Sequence, residues 1–572
     1  MTTVACRCIK CLIRKAERRN KVGRWVRVDK ANFRCDIVES LCNDSTGSVV
    51  YQMLHAQIIE KQTREEHKRK KHQYDVYVIL LDSTSSTQAT RTASIPPAFL
   101  KRFTGKLNLR LTHAGAVCCH YISDAKARNP LRVTIPRTLH FFEKSMKAIS
   151  FPYVNKVGLN SRPNGVALWF GKRMEKVDRT FFGLPPLYPD WTASETCYRY
   201  LDNETFLFKE YSQYGYKTLL AEDWMAGTLN WPNCWGFDKQ PTDHYMRPFQ
   251  VAIEKDVSKT LEKTYSVQNC IEQHQDILRY LQDFMNSYAE LPKIGWIWLS
   301  LLGHDYENGL VHADLDFQQV LLNNKKKLDD SFVIILGDHG LRFGKVASTK
   351  LGNLEVSNPL FAMSVPKKLR ETTNILQILE ENAGRLQTTY DIRATLLDIL
   401  KHQPESNFTD RGFMQIKGEY GTSFLRHQTI VEKTCKNQPI PMEYCTCQYA
   451  KNVINSSLPV ATDAGRFLIK HVNSILANSN VTSLCATLEY SKTLSIFTYA
   501  PEELTKTYEI SVKARPPSDG EFKAIVRSGE HGFEIASTEI DRLDQFGNNG
   551  YCVEDWLKRL CHCRIKLTTQ KR

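Results

Sequence analysis

Four short stretches carry the residue types that hold a divalent ion and attack an ester. Asp82 closes "YDVYVILLD", His304 follows "IGWIWLSLLG", and Asp338 and His339 close "SFVIILGDH". Carboxylate and imidazole donors suit zinc, manganese and similar ions. Such an ion polarises a phosphoryl or sulfuryl oxygen. The expected attacking group is Ser161, in "NKVGLNSRPNGVALWFGK" (Asn155–Lys172). There Gly158, Asn160, Pro163, Asn164 and Gly165 make a turn, and "GVALWFGK" reads as the start of a helix. A hydroxyl at a helix N-terminus lies among backbone N–H groups that favour an anion, and a bound metal lowers its pKa. Each group alone has a plainer reading, since acids and serines beside helices are commonly caps. Four metal-competent groups at the ends of three separate strands are harder to assign to capping.

To converge, these groups need an open parallel sheet, whose ligands bind beyond the carboxyl ends of the strands. The sequence predicts one. Tyr74–Asp82, Tyr216–Asp223, Ile294–Asp305 and Ser331–His339 are apolar, β-branched runs with polar ends, as strands buried on both faces require. Between and after them lie helical patterns. Asn269–Tyr288 places Ile271, Ile277, Leu278, Leu281 and Phe284 near one face, and His312–Asn324 and Tyr390–His402 are two more. The expected class is α/β, a mostly parallel sheet flanked by helices. Near 450 the texture becomes short, alternating and rich in Thr, Tyr and Val, as in "TYEISVKARP" and "GEFKAIVRSG", which predicts a smaller β-rich module. The organisation expected is a basic, Cys-containing region over 1–72, the α/β core over 73–430 and a Cys-containing C-terminal module over 431–572.

The chain has 572 residues, with 42% hydrophobic and 24% charged, the composition of a globular protein of two or three domains. The net charge of +15 is scattered. Its densest stretch, Glu65–His72, has no aromatic interleaving and no nucleic-acid motif, so no nucleic-acid partner is expected. No run of 18 apolar residues is present, so no membrane span is expected. The 17 cysteines include the groups Cys435, Cys445, Cys447 and Cys552, Cys561, Cys563. Their C-x-C spacing fits zinc poorly and fits disulfides in an oxidising compartment better. Sequons at Asn43, Asn203, Asn407, Asn455 and Asn480 agree with a glycoprotein. The first residues, "MTTVACRCIKCLIRKAERRNKVGRW", hold no apolar segment of the signal-peptide kind. An extracellular or secretory-pathway setting is expected from the cysteines and sequons.

The order strand-Asp82-Ser83, turn-Ser161-helix, His304, Gly337-Asp338-His339-Gly340 resembles the alkaline phosphatase superfamily, which includes sulfatases, nucleotide pyrophosphatases and phosphoethanolamine transferases. More closely, the chain resembles the family called domain of unknown function 229, known from nematodes and insects. The phrases that carry this are "ILLDSTSSTQATR", "NKVGLNSRPNGVAL", "GYKTLLAEDW", "CWGFDKQPTDHYMRPF", "LLGHDYENG", "FVIILGDHGLRFGK", "YDIRATLLDIL" and "YCVEDWLKRLCHC", spread over roughly 70–563. The resemblance implies that Asp82, Asp338 and His339 hold one metal, zinc first, and that Ser161 is the nucleophile. His304 matches a second-metal ligand of the pyrophosphatase branch, D-x-x-G-H, where Ser300 stands in place of the acid. No further histidine has a Gly-His-Gly setting, so one ion is the expectation. The sulfatase motif C/S-x-P-x-R is met at Ser161 and Pro163 but not at Gly165, and the sulfatase Asp-Asp pair is Asp82-Ser83 here. Arg342, Asp223 and His244 are candidate contacts to an anionic ester substrate, with Glu222 beside them. The expected function is ester hydrolysis or transfer through a seryl intermediate. The rival is a secreted binding protein on the same fold, without catalysis.

Overall fold

The apolar runs become a seven-stranded sheet because every residue in its central strands is buried. Its order is His244–Tyr245, Lys217–Glu222, Lys293–Leu299, Asp75–Leu81, Ser331–Leu336, Phe361–Ser364, Ile149–Ser150. The first five run parallel, and the last two join antiparallel at one edge. A computed structural model describes residues 3–14, 17–27, 32–61, 69–90, 135–179, 182–255, 258–265, 271–305, 309–343, 347, 350–428, 431–446, 451–499, 506–529, 531–537, 539–544, 549–553 and 555–564. Cys447 and the first part of the basic stretch, Glu65 to Lys68, lie outside these.

Alternate side chains of the sheet enter two separate cores. Val76, Val78 and Leu80 join Trp296, Trp298, Ile334 and the helices Ser161–Phe170 and Thr389–Lys401. Tyr77, Ile79 and Leu81 join Ile297, Val333 and the helices Gln273–Asn286 and Asp314–Asn323. Helices on both faces explain why the strands show no polar alternation. The α/β architecture with a smaller C-terminal module is therefore as expected.

Two parts differ from the sequence reading. Residues 1–72 show little periodicity, yet they hold an antiparallel sheet in which Thr3–Arg14 pairs with both Glu17–Val22 and Ile37–Asn43, and the latter with Val49–Ala56. The C-terminal module has the expected antiparallel strands, Lys451–Val453, Tyr490–Tyr499, Lys506–Ala514, Glu521–Gly529 and Gly532–Ile535. It also has a 20-residue helix, Pro459–Asn478. That helix opens on a proline at its first position and buries Ala461, Ala464, Leu468, Val472 and Leu476 against the sheet. Disulfides Cys485–Cys561 and Cys552–Cys563 close this module; Cys197–Cys234 and Cys435–Cys445 lie before it. Among the described residues, no helix is long and apolar enough to cross a membrane.

One face of the sheet is fastened by a charged cluster. His274 Nδ1 lies 3.2 Å from Glu272 and its Nε2 2.8 Å from Asp316, while His312 Nε2 meets the same Glu272 oxygen at 2.8 Å. Burial pushes the His274 pKa down, but the two carboxylates more than reverse this, to about 9. A histidine whose pKa is raised on folding adds stability that is complete below its ordinary value, about 6.5, and is lost as pH rises through the folded value. His274→Gln should therefore destabilise the chain by on the order of 2 kcal/mol at pH 6. The gap between wild type and variant should narrow as pH passes 9. Denaturant unfolding of both proteins across that range checks it; a gap independent of pH would contradict the charged pairing.

Candidate functional site

Asp82 and Asp338 follow neighbouring parallel strands whose register pairs Leu80 with Leu336, so both acids leave the sheet at one level. His339 is the next residue. Asp82, Asp338 and His339 each present a donor atom, and these lie within 4.8 Å of one another with all three side chains buried. His339 Nε2 is 3.3 Å from Asp338 Oδ2 and 3.9 Å from Asp82 Oδ1. Ser161 Oγ is 3.3 Å from Asp82 Oδ2 and 3.4 Å from His339 Nε2. The structure thus brings together four of the residues singled out from sequence.

Local backbone geometry aims these groups. Ser83 adopts the left-handed region, φ 59°, a conformation that costs about 1 kcal/mol or more in a residue with a Cβ. It turns the Ser83 N–H to donate to Asp338 Oδ1 at 3.0 Å, while the Ser83 hydroxyl donates to Asp82 Oδ1 at 2.9 Å. The His339 N–H donates to the same Asp338 Oδ1 at 2.9 Å. Gly337 allows the close approach this needs, since a Cβ there would collide with the Thr84 carbonyl oxygen. Asp338 Oδ2 is buried and has no hydrogen-bond partner among the described residues. An orphaned buried carboxylate oxygen is costly and calls for a cation.

The imidazole is presented in the ligand tautomer. His339 Nδ1 lies 2.8 Å from the Gly340 carbonyl oxygen. A carbonyl only accepts, so Nδ1 carries the proton and Nε2 offers its lone pair to the cluster. Burial drives the His339 pKa down to about 3, which keeps the ring neutral at ordinary pH. Burial raises Asp82, and the neighbouring Asp338 carboxylate adds to the effect. Burial likewise raises Asp338. Two buried like charges beside a neutral imidazole form a donor set that a divalent ion would stabilise. Donor atoms bonded at about 2 Å lie no more than about 4 Å apart, so a small contraction suits the three residues to one ion.

The helix bearing Ser161 starts at Ser161 itself, earlier than "GVALWFGK" suggests. Asn160 is the cap, and its Oδ1 accepts from the Arg162 N–H at 3.3 Å. Pro163 has no N–H to offer. The helix start consequently presents fewer free donors to an anion than expected, because of its first three positions only Ser161 keeps an uncommitted N–H. The preceding loop is pinned instead. Asn164 donates to the carbonyls of Gly158 and Asn160 and accepts from the Val157 N–H, each at 2.9 Å. Glu175 Oε1 accepts from the Leu159 N–H at 2.7 Å. Lys156 Nζ donates to the Leu159 carbonyl at 3.2 Å. Glu175 and Lys156 were not singled out from sequence; an isolated Lys or Glu carries no local mark of burial.

The other candidates are placed differently. His304 pairs with Asp305 at 2.7 Å and is outside the three-donor group. The acid position before it, Ser300, gives its N–H to Asp223 at 2.6 Å, and Leu301 gives its own at 3.0 Å. Asp223 is pushed up to about 7 by burial. It joins the ends of two strands and shapes the turn that carries His304. Neighbouring Glu222 accepts from the Thr228 N–H at 2.7 Å. The Nδ1 of His244 meets Asp36 at 2.7 Å and its Nε2 meets Tyr288 at 2.8 Å. Both nitrogens are committed to fastening the N-terminal sheet to the core. Arg342 has a buried Nε with no hydrogen-bond partner among the described residues, and its guanidinium lies 5.0 Å over the Phe343 ring. Burial lowers its pKa, and the carboxylates of Asp541 and, more weakly, Asp82 oppose this.

The chain matches the family described as "Protein of unknown function (DUF229)" over residues 1–106 and 122–494. It belongs to that family. A search among curated proteins returns no match to this DUF229 chain. Solved structures similar to it include lipoteichoic acid synthase LtaP from Listeria monocytogenes, at 12% identity over 64% of this chain and 78% of that one, TM-score 0.36. Another is a protein of the alkaline phosphatase superfamily from Vibrio parahaemolyticus, at 10% identity over 83% of each chain, TM-score 0.33. A third is BT1596, a 2-O GAG sulfatase, at 12% identity over 81% of this chain and 85% of that one, TM-score 0.35. All three are under 25% identical to this chain; the chemistry below is argued from this chain's own residues.

Zinc or manganese added to the purified DUF229 chain should bind at one ion per chain by elemental analysis. His339→Ala and Asp338→Asn should each weaken binding by roughly 100-fold or more. His304→Ala should leave one ion bound. No ion after supplementation would contradict the site.

Proposed function

We propose that this protein is a metal-dependent phosphoric- or sulfuric-ester hydrolase or transferase with Ser161 as nucleophile. The observation that carries the reading is the buried Asp82, Asp338 and His339 donor set with the Ser161 hydroxyl 3.3–3.4 Å from two of its atoms. Asp82, Asp338 and His339 would hold one divalent ion, zinc by donor type. When bound, that ion supplies Lewis-acid polarisation of the ester and charge for a developing alkoxide.

The chain's own residues do the rest. Ser161 Oγ is positioned to attack phosphorus or sulfur, and its proton faces Asp82 Oδ2. Nδ1 of His339 keeps its proton on the Gly340 carbonyl, so the ring holds one tautomer and one orientation throughout. Arg342, whose buried Nε has no hydrogen-bond partner among the described residues, is the group that would bind a non-bridging oxygen of the anionic substrate. A buried guanidinium N–H without an acceptor is costly and gains from an anion. Asp223 holds the turn before His304, and His244 holds the N-terminal sheet; neither is assigned to the substrate.

Four disulfides among the described residues and the sequons support an extracellular or secretory-pathway glycoprotein. The ester itself is left open between phosphate monoester, phosphate diester and sulfate.

The test is hydrolysis of an aryl phosphate, an aryl phosphodiester and an aryl sulfate by the zinc- and manganese-loaded protein. Ser161→Ala should lower kcat on the accepted substrate by about 1,000-fold or more, with metal still bound. Activity that survives Ser161→Ala removes this nucleophile. No turnover on any of the three esters by the loaded protein leaves the binding-protein reading in its place.

A further inference from the structure

The loop ahead of Ser161 is held by a segment almost three hundred residues later in the chain. The Cys435–Cys445 disulfide closes a ten-residue step. Its two cysteines, Ile440 and Tyr444 pack with Leu159 as one small apolar cluster. Both ends of the segment are anchored to the core. Lys433 Nζ is buried against Asp391 at 2.7 Å. At the other end the Thr446 N–H donates to Asn155 Oδ1 at 2.8 Å, and Asn155 Nδ2 donates to the Tyr444 carbonyl at 2.8 Å.

Tyr444 joins this segment to the nucleophile loop. Its hydroxyl donates to Glu175 Oε2 at 3.0 Å, and the other oxygen of Glu175 accepts from the Leu159 N–H at 2.7 Å. The Lys156 ammonium lies 4.2 Å over the Tyr444 ring and donates to the Leu159 carbonyl. Leu159 is therefore gripped at its N–H, its carbonyl and its side chain, two residues before Ser161. Of that loop, the donor set meets only the Ser161 hydroxyl, at 3.3 Å from Asp82 and 3.4 Å from His339, and among the described residues it makes no hydrogen bond to Leu159. We propose that the disulfide-closed segment is a strap that positions Ser161, with Tyr444 acting through Glu175 as the positioning residue. Neither group touches the reacting atoms.

The kinetic consequence rests on the reading of Ser161 as nucleophile; the structural one does not. The two are separable in the full-length, metal-loaded chain by measuring amide exchange beside turnover. Tyr444→Phe keeps the ring over Lys156 and removes only the hydroxyl. Losing one buried hydrogen bond corresponds to a change of about tenfold in local opening. The peptide spanning 157–161 should exchange about tenfold faster, with the 331–336 strand unchanged. The double variant Cys435→Ser/Cys445→Ser should do the same. Combining it with Tyr444→Phe should add less than the sum of the two, because both act on one strap. On an accepted aryl ester, kcat should fall about tenfold, with KM and metal affinity within about twofold of wild type. Unchanged exchange at 157–161 in both variants would overturn the strap. So would an equal rise at 331–336, which marks general loosening. If the wild-type chain turns over no ester, the nucleophile reading falls and the exchange result still decides the strap.

Discussion

Burying two carboxylates side by side is the constraint on which the rest of this structure turns. Asp82 and Asp338 leave adjacent parallel strands at the same level because Leu80 and Leu336 are in register. Both are buried, as is His339. Like charges in a low-dielectric interior repel and resist ionisation, so such a pair persists only with compensation. Hydrogen bonds supply part of it. Asp338 Oδ1 takes two backbone N–H groups, and Asp82 Oδ1 takes the Ser83 hydroxyl. Asp338 Oδ2 has no hydrogen-bond partner among the described residues. The unspent capacity of that one oxygen, beside the lone pair of His339 Nε2, is the physical content of the metal assignment.

The surrounding architecture is arranged so that these groups cannot drift. Strands buried on both faces set the level of the acids to within a residue, since a slip of one position would exchange the two cores. The left-handed Ser83 and the side-chain-free Gly337 hold the two strand ends in contact. Asp223 does for the neighbouring strand end what Ser83 does here, tying it through two backbone N–H groups. Ser161 is positioned by other means. Its loop has no strand register to fix it, and the contacts that do so come from Asn164, Glu175, Lys156 and the segment closed by Cys435–Cys445. The site is thus assembled from a rigid half and a strapped half.

His244 and His339 show how the same residue type takes opposite roles by environment. Each is buried at the end of a strand region. His244 has a partner on both nitrogens, a carboxylate and a phenol, so it is a fastener. His339 gives its protonated nitrogen to the Gly340 carbonyl, and its other nitrogen faces two acids and the Ser161 hydroxyl, 3.4 Å away. In the proposed reading it is this second nitrogen, and not burial, that sets a ligand apart from a structural imidazole.

The sequence by itself determined the α/β class and the four buried strands, read as 74–82, 216–223, 294–305 and 331–339, and it singled out Asp82, Ser161, Asp338 and His339, which the structure places together. These were legible because a strand covered on both faces is a continuous apolar run, and because its polar end stands out against that run. The sequence also carried an unread signal in Pro459–Asn478, whose buried residues recur at helical spacing. Other features were decided by tertiary structure alone. The N-terminal sheet pairs Thr3 with Asn43, a register that local pattern does not encode. Asp36 meets His244 across 208 positions, and Tyr444 meets Glu175 across 269. A hydrogen bond between residues so far apart leaves no mark on either neighbourhood, so which acid is a ligand, which histidine is a fastener and what holds the nucleophile loop exist only once the chain has folded.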